Sequence, residues 1–186
     1  KMMELSRPQS LTALYRITTP MFLGGDDQQA DGTHFRNASF KGALRFWWRA
    51  LNWGRVLRES GGDSTRALRA LHEQEGALFG LASDGKHSRQ SAVQISSTLS
   101  GTKAMPHSPQ DTSLKSLAYL LGLGLWSNND KGAAKHPGVQ RDYLQAGGTL
   151  EVRLQFKPRP TDLQKRLQHE EQIRQVQQAA TALGLF

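Results

Sequence analysis

Ser39-Phe40-Lys41-Gly42-Ala43-Leu44-Arg45-Phe46-Trp47-Trp48-Arg49-Ala50-Leu51 writes an apolar side and a cationic side onto one helix. At about 100° per residue, Ala43, Leu44, Phe46, Trp47, Ala50, Leu51, Trp53 and Leu57 fall on one side, broad enough to dock against a sheet. Lys41, Arg45 and Arg49 recur at i, i+4, i+8 as a separate stripe that Asn52 continues, with Trp48 on the border. No acid lies between Asp31 and Glu59, so the local sequence neutralises none of Arg36, Lys41, Arg45, Arg49, Arg55 and Arg58. Repulsion among them is relieved by solvent or by an anion. The plainer account is a solvated face whose arginine stems cover apolar surface; the functional one is a phosphate-binding stripe.

The start of this helix favours the second account. Ser39 is placed to cap it by accepting a bond from an amide two or three residues on, and Gly42 removes a side chain that would block close approach. Free amides, the helix dipole and Lys41 then converge on one place suited to phosphate. Leu23-Gly24-Gly25 reads as a neighbouring glycine loop that offers more amides, although a Gly-Gly pair alone is an ordinary turn.

Working outward, Leu11 to Thr19 alternates as a partly buried strand ended by Pro20, and residues 24–37 form a polar loop. Gly61-Gly62 breaks the chain, Asp63-Ser64 caps a second helix, and Leu78 and Phe79 at its end read as core. Ser91 to Leu99 is a second strand; Leu114 to Leu125 leaves helix and strand both open. Residues 127–142 read as a long polar insertion. Thr149 to Phe156 is the clearest strand, with Leu150, Val152, Leu154 and Phe156 on one face. Thr161-Asp162 caps a final helix on which Ile173, Val176, Ala180 and Leu183 share a face that excludes Leu163 and Leu167.

The 186 residues suit a single domain over 1–186 with insertions near 60–90 and 100–142. A net charge of +8 favours a polyanionic partner. Without cysteine, a disulfide framework or thiolate metal site is impossible. The sequence shows no apolar run of the roughly 18 to 20 residues that spans a bilayer, which makes a cytoplasmic protein the expectation.

Three blocks carry a family resemblance: Thr18-Thr19-Pro20-Met21-Phe22-Leu23-Gly24-Gly25, the tryptophan-bearing helix from Phe40 to Leu51, and Glu75-Gly76-Ala77-Leu78-Phe79-Gly80. In this order they resemble the RAMP superfamily of CRISPR proteins, and the double tryptophan is similar to the first subunit of Cmr complexes, the type III-B RNA-guided effectors. Tyr143-Leu144-Gln145-Ala146-Gly147 leading into a strand is a weaker match. The resemblance implies an α+β, ferredoxin-like βαββαβ core, guide RNA and target RNA as ligands, and other Cmr-type subunits as partners. A last strand and a glycine-rich loop expected after Phe186 are absent from the sequence, which suggests a fragment or a sheet completed by another element or subunit.

Lys41, Arg45, Arg49 and Arg36 are therefore the expected phosphate contacts. Gly24, Gly25 and Gly42 would let the RNA backbone come close, and Trp48 would stack on a base if exposed, although packing is its more ordinary role. No cofactor is expected. Related backbone subunits cut RNA with an acid in the loop after the first strand, where this chain has Asp26, Asp27 and Asp31; other relatives work without metal, for which His34 is the candidate acid-base. Binding without catalysis is the main expectation, with an endoribonuclease or a purely architectural subunit as alternatives. His72, His87, His107, His136 and His169 lack zinc-ligand spacing.

Overall fold

The computed structural model describes residues 9–23, 35–81, 89–106, 114–121, 125–127, 138–158, 160 and 162–184. Gly24, Gly25, Asp26, Asp27, Asp31 and His34 lie outside the described residues. In chain order the elements are β1 (Ser10–Arg16), α1 (Asn37–Glu59), α2 (Ser64–Phe79), β2 (Val93–Ser100), β3 (Ala104–Met105), a short 3-10 turn (Lys115–Leu117), α3 (Ala118–Leu121), β4 (Trp126–Ser127), β5 (Gly138–Val139), β6 (Tyr143–Leu144), β7 (Thr149–Phe156) and α4 (Leu163–Leu183). The architecture is α+β.

Strand β7 lies between β1 and β2. Both neighbours run antiparallel to it: Phe156 and Lys157 donate to the carbonyls of Gln9 and Ala92, while Ile17 donates to Gly148 at the other end of β1. The reason is written in β7, where Leu150, Val152, Leu154 and Phe156 are buried and Glu151 and Arg153 are exposed. This is the alternation of a sheet with one packed and one wet face. The same alternation, in weaker form, runs through β1.

The described chain separates into two compact units. The first comprises residues 1–13, 36–97 and 152–186 and holds the long helices. Here α1 packs on α2 and on α4. The buried residues of α1 are Phe40, Leu44, Trp48, Asn52 and Val56, a four-residue repeat. This corrects the expected orientation. Leu44 is buried, but Phe46 is 57% and Leu51 49% exposed, and Ala43 and Ala50 also face outward. Asn52 belongs to the packed side rather than to the cationic stripe, because its amide donates to the Trp48 carbonyl at 2.8 Å and its oxygen accepts from Arg55 at 3.1 Å. An asparagine satisfied within its own helix is buried at little cost.

Asp63 caps α2 through a 3.0 Å bond from the Arg66 amide, and Asp162 caps α4 through a 2.9 Å bond from Lys165, as expected. At the end of α2, Leu78 and Phe79 are each 1% exposed, and the Phe79 ring meets Trp48 edge-on at 6.2 Å. Gly80 follows at φ +84, and an added Cβ would come within 2.9 Å of the Arg89 carbonyl. Glycine is therefore required by the turn and by the close chain.

The second unit comprises residues 14–35 and 98–151. Two short antiparallel pairs, β3 with β6 and β4 with β5, frame a core of Leu114, Trp126, Val139 and Tyr143. The ambiguous segment Leu114 to Leu125 is helical where it is described, a 3-10 turn followed by α3, and β4 begins just past it at Trp126. Met21 exchanges bonds of 3.0 and 2.8 Å with Leu144, and Phe22 meets Tyr143 at 5.6 Å. Two of the sequence blocks singled out above are thus neighbours.

Candidate nucleic-acid interface

Helix α1 begins at Asn37, one turn earlier in register than a Ser39 cap requires. Arg36 is the N-cap residue, its side chain makes no capping bond, and the first turn contains no acid. The Ser39 amide is taken by the Arg36 carbonyl at 2.9 Å. Asn37 instead uses its side-chain oxygen to accept from Ser97 at 2.6 Å, which ties the helix start to β2.

Beside this start lies a groove of about 640 Å³. Its walls are Asn37, Ala38 and Lys41 from α1, residues 90–95 entering β2, and residues 155–158 leaving β7. Lys41 and Lys157 supply the charge, Gln90, Gln94 and Gln155 supply amides, and no carboxylate among the described residues lines it. Burial, and then the neighbouring Arg45 charge, hold the Lys41 pKa below the ordinary lysine value. An anion in the groove would reverse that repulsion.

The other cations of the stripe are less available than the sequence suggests. Arg45 and Arg49 both bond the same oxygen of Glu75, at 2.5 and 2.8 Å, and the Glu75 side chain is only 3% exposed. One carboxylate thirty residues along the chain from Arg45 therefore offsets half the charge of the pair. Arg45 and Arg49 keep 32% and 44% of their side chains exposed, so both remain partly open to solvent. Arg55 pairs with Glu59 at 2.8 Å and donates to Gln74 at 2.8 Å. Arg36 and Arg58 are exposed and have no ion-pair partner among the described residues.

Trp48 is 1% exposed, and its indole N–H donates to Gln175 of α4 at 3.1 Å. Its ring is occupied by packing, so base stacking is not open to it in this structure. Gly42 is exposed, with open space where a Cβ would stand, but it lies outside the groove lining. The structure thus brings Lys41 to a groove, commits Arg45 and Arg49 to an acid, and adds Lys157, which sequence reasoning missed. Lys157 follows the clearest strand directly, so a basic residue at the strand exit was the available signal.

Among the described residues no group of three histidines or carboxylates is placed to hold a metal ion, and no helix is long and apolar enough to cross a membrane. His169 is buried on α4, edge-on to Phe156 at 6.3 Å. A family model described as the RAMP superfamily matches residues 15–186. No curated protein matches the chain.

Proposed function

The chain belongs to the RAMP superfamily, and from that premise we propose that it is a non-catalytic, RNA-binding subunit of a type III-B CRISPR effector. The observation that carries the reading is the groove beside α1: two lysines, an uncapped helix start and three glutamines without a carboxylate among them. Lys41 and Lys157 pair with backbone phosphates, and amide side chains satisfy sugar or phosphate oxygens. Phosphate contacts of this kind position the strand and carry no sequence information, so recognition is largely independent of sequence. Arg36 and the partly exposed Arg45 and Arg49 add secondary charge.

The fold proposed with this function is ferredoxin-like. The order β1-β7-β2, with α1 and α2 leading from β1 to β2 and α4 following β7, fits three strands of a split βαβ unit. In that fold a fourth strand belongs along the free flank of β1.

Salt-dependent RNA binding tests the function. Replacing Lys41 and Lys157 together with Gln should weaken binding of a 30-nucleotide single strand and lower the slope of log K against log salt by about 1.4, two contacts at ~0.7 each. An unchanged slope rejects the groove as the contact. Metal-dependent cleavage of labelled RNA that vanishes with Asp27→Ala, or metal-independent cleavage that vanishes with His34→Ala, replaces binding with an endoribonuclease reading.

A further inference from the structure

The outward side of α1 is wrong for water. A long surface helix normally turns charged and polar residues outward, yet on a projection at about 100° per residue the arc between Arg49 and Arg58, about 180° wide, carries no charged side chain from the start of α1 to its end. Along it run Ala43, Phe46, Ala50, Trp53 and Leu57, spaced 3, 4, 3 and 4 residues apart. Ala43, Phe46 and Ala50 are exposed, and Trp53 and Leu57 are half-buried. The packed residues Phe40, Leu44, Trp48 and Val56 are a different set, so this is a second apolar face on a helix whose core face is already satisfied.

We propose that this face docks an amphipathic helix of a partner protein, one whose apolar seam is flanked by acidic residues. The spacing selects a helix, because a 3,4 repeat is the pattern that keeps one helix in register against another. The small residues Ala43 and Ala50 alternate with Phe46 and Trp53, which leaves holes between knobs. The flanks select the charge. Arg45 and Arg49 border one edge and carry two positive charges against the single Glu75 carboxylate, and Arg58 borders the other edge, exposed and without an ion-pair partner among the described residues. A second copy of this chain would set arginine against arginine. RNA would find no cation along the arc to follow its phosphates. This inference does not rest on the RNA-binding reading.

The test uses the full chain and two fluorescein-labelled 21-residue peptides, each with leucine at the seam positions and either glutamate or lysine at the flanks, held at concentrations where the peptide is monomeric. The glutamate-flanked peptide should bind at least tenfold more tightly than the lysine-flanked one. Ala50→Glu and Phe46→Ala should each weaken it at least fivefold while circular dichroism, melting temperature and affinity for poly(U) stay as in the parent. Equal binding of the two peptides, binding of neither, or binding indifferent to Ala50→Glu overturns the proposal. So does a dimer in sedimentation equilibrium that Ala50→Glu dissociates, or a loss of poly(U) affinity in Phe46→Ala. Loss of poly(U) binding by the Lys41 and Lys157 variant leaves this inference intact, so the two readings fail separately.

Discussion

Helices α1 and α4 lie against each other in the same unit, are of similar length, and differ in what their outward sides are written for. On α4 the exposed positions include Gln164, Lys165, Gln168, Glu170, Arg174, Gln177 and Gln178, with Leu163 and Leu167 the two large apolar residues left out. Its charges are paired along the surface, as Arg174 with Glu171. On α1 the outward arc is apolar and the charges are gathered at its borders, two of them held by a buried acid. A helix that ends at water spreads its charge; a helix that sits between two surfaces moves charge to the seams. The contrast places α4 at the outside of its unit and gives α1 work on more than one side.

The largest expected effect concerns how α1 keeps its cations. Arg45 and Arg49 share one acceptor oxygen, so each can be lost while the other still pairs Glu75. Arg45→Gln or Arg49→Gln alone should cost at most about 1 kcal/mol, whereas the double replacement leaves a carboxylate that is 3% exposed without a cation and should cost about 3–5 kcal/mol. Glu75→Gln should fall between, at about 2 kcal/mol, because the stranded guanidiniums are partly solvated. Arg174→Gln on α4, an exposed pair, should cost at most about 0.5 kcal/mol. Urea midpoints at neutral pH rank all of these. Additive losses at Arg45 and Arg49 would erase the distinction between the two helices.

A smaller effect tests the bond that joins them. Gln175→Leu removes the acceptor of the buried Trp48 indole and should cost about 1.5 kcal/mol. Trp48→Phe in the Gln175→Leu background should cost less than in the parent, since the N–H it removes is already unsatisfied. A thermal-melt double-mutant cycle measures the coupling. If the two losses simply add, the helices are held by packing alone.

The same contrast explains which parts of the molecule were legible in advance. Strand β7 could be read to its end residues because four buried aliphatic or aromatic positions alternate without interruption, and the caps at Asp63 and Asp162 depend only on residues two to four places away. The extent of α1 was legible too, but its orientation was not. Its sequence carries two apolar repeats, and hydropathy prefers the one through Phe46 and Trp53 because the other passes through Asn52. That preference ignores an asparagine that bonds its own helix, and it ignores Glu75, which comes to Arg45 and Arg49 only through the packing of α2. The groove was half legible: Lys41 stood out within its helix, whereas Lys157 joins it only once β7 ends beside β2. Local rules reach caps and alternation; they do not reach a partner supplied by another element.

The smallest predicted effect comes from two pKa values moved in the same direction, whose charged forms contribute to stability with opposite signs at neutral pH. Glu171 on α4 is held below the ordinary glutamate value chiefly by the Gln175 hydrogen bond, with Arg174 and Arg55 assisting against burial. Its folded form prefers the charged state, so the stability it contributes is present above pH 4.5 and is lost as pH falls through the folded value. Lys41 is also lowered, but by burial and by Arg45, so its charge is a penalty to the fold. Between the folded value and 10.5 the unfolded chain binds more protons than the folded one, and stability rises with pH across that window. Glu171→Gln should therefore lower the neutral-pH melting temperature slightly and flatten the acid limb. Lys41→Met should raise the neutral-pH melting temperature slightly and flatten the alkaline limb. Adding 50 mM sulfate should narrow the gap between Lys41→Met and the parent, because an anion in the groove relieves in the parent what the substitution removes. A gap that sulfate leaves unchanged would mean that Lys41 is strained by burial alone, and the contrast between an α1 written for ligands and an α4 written for water would lose its electrostatic half.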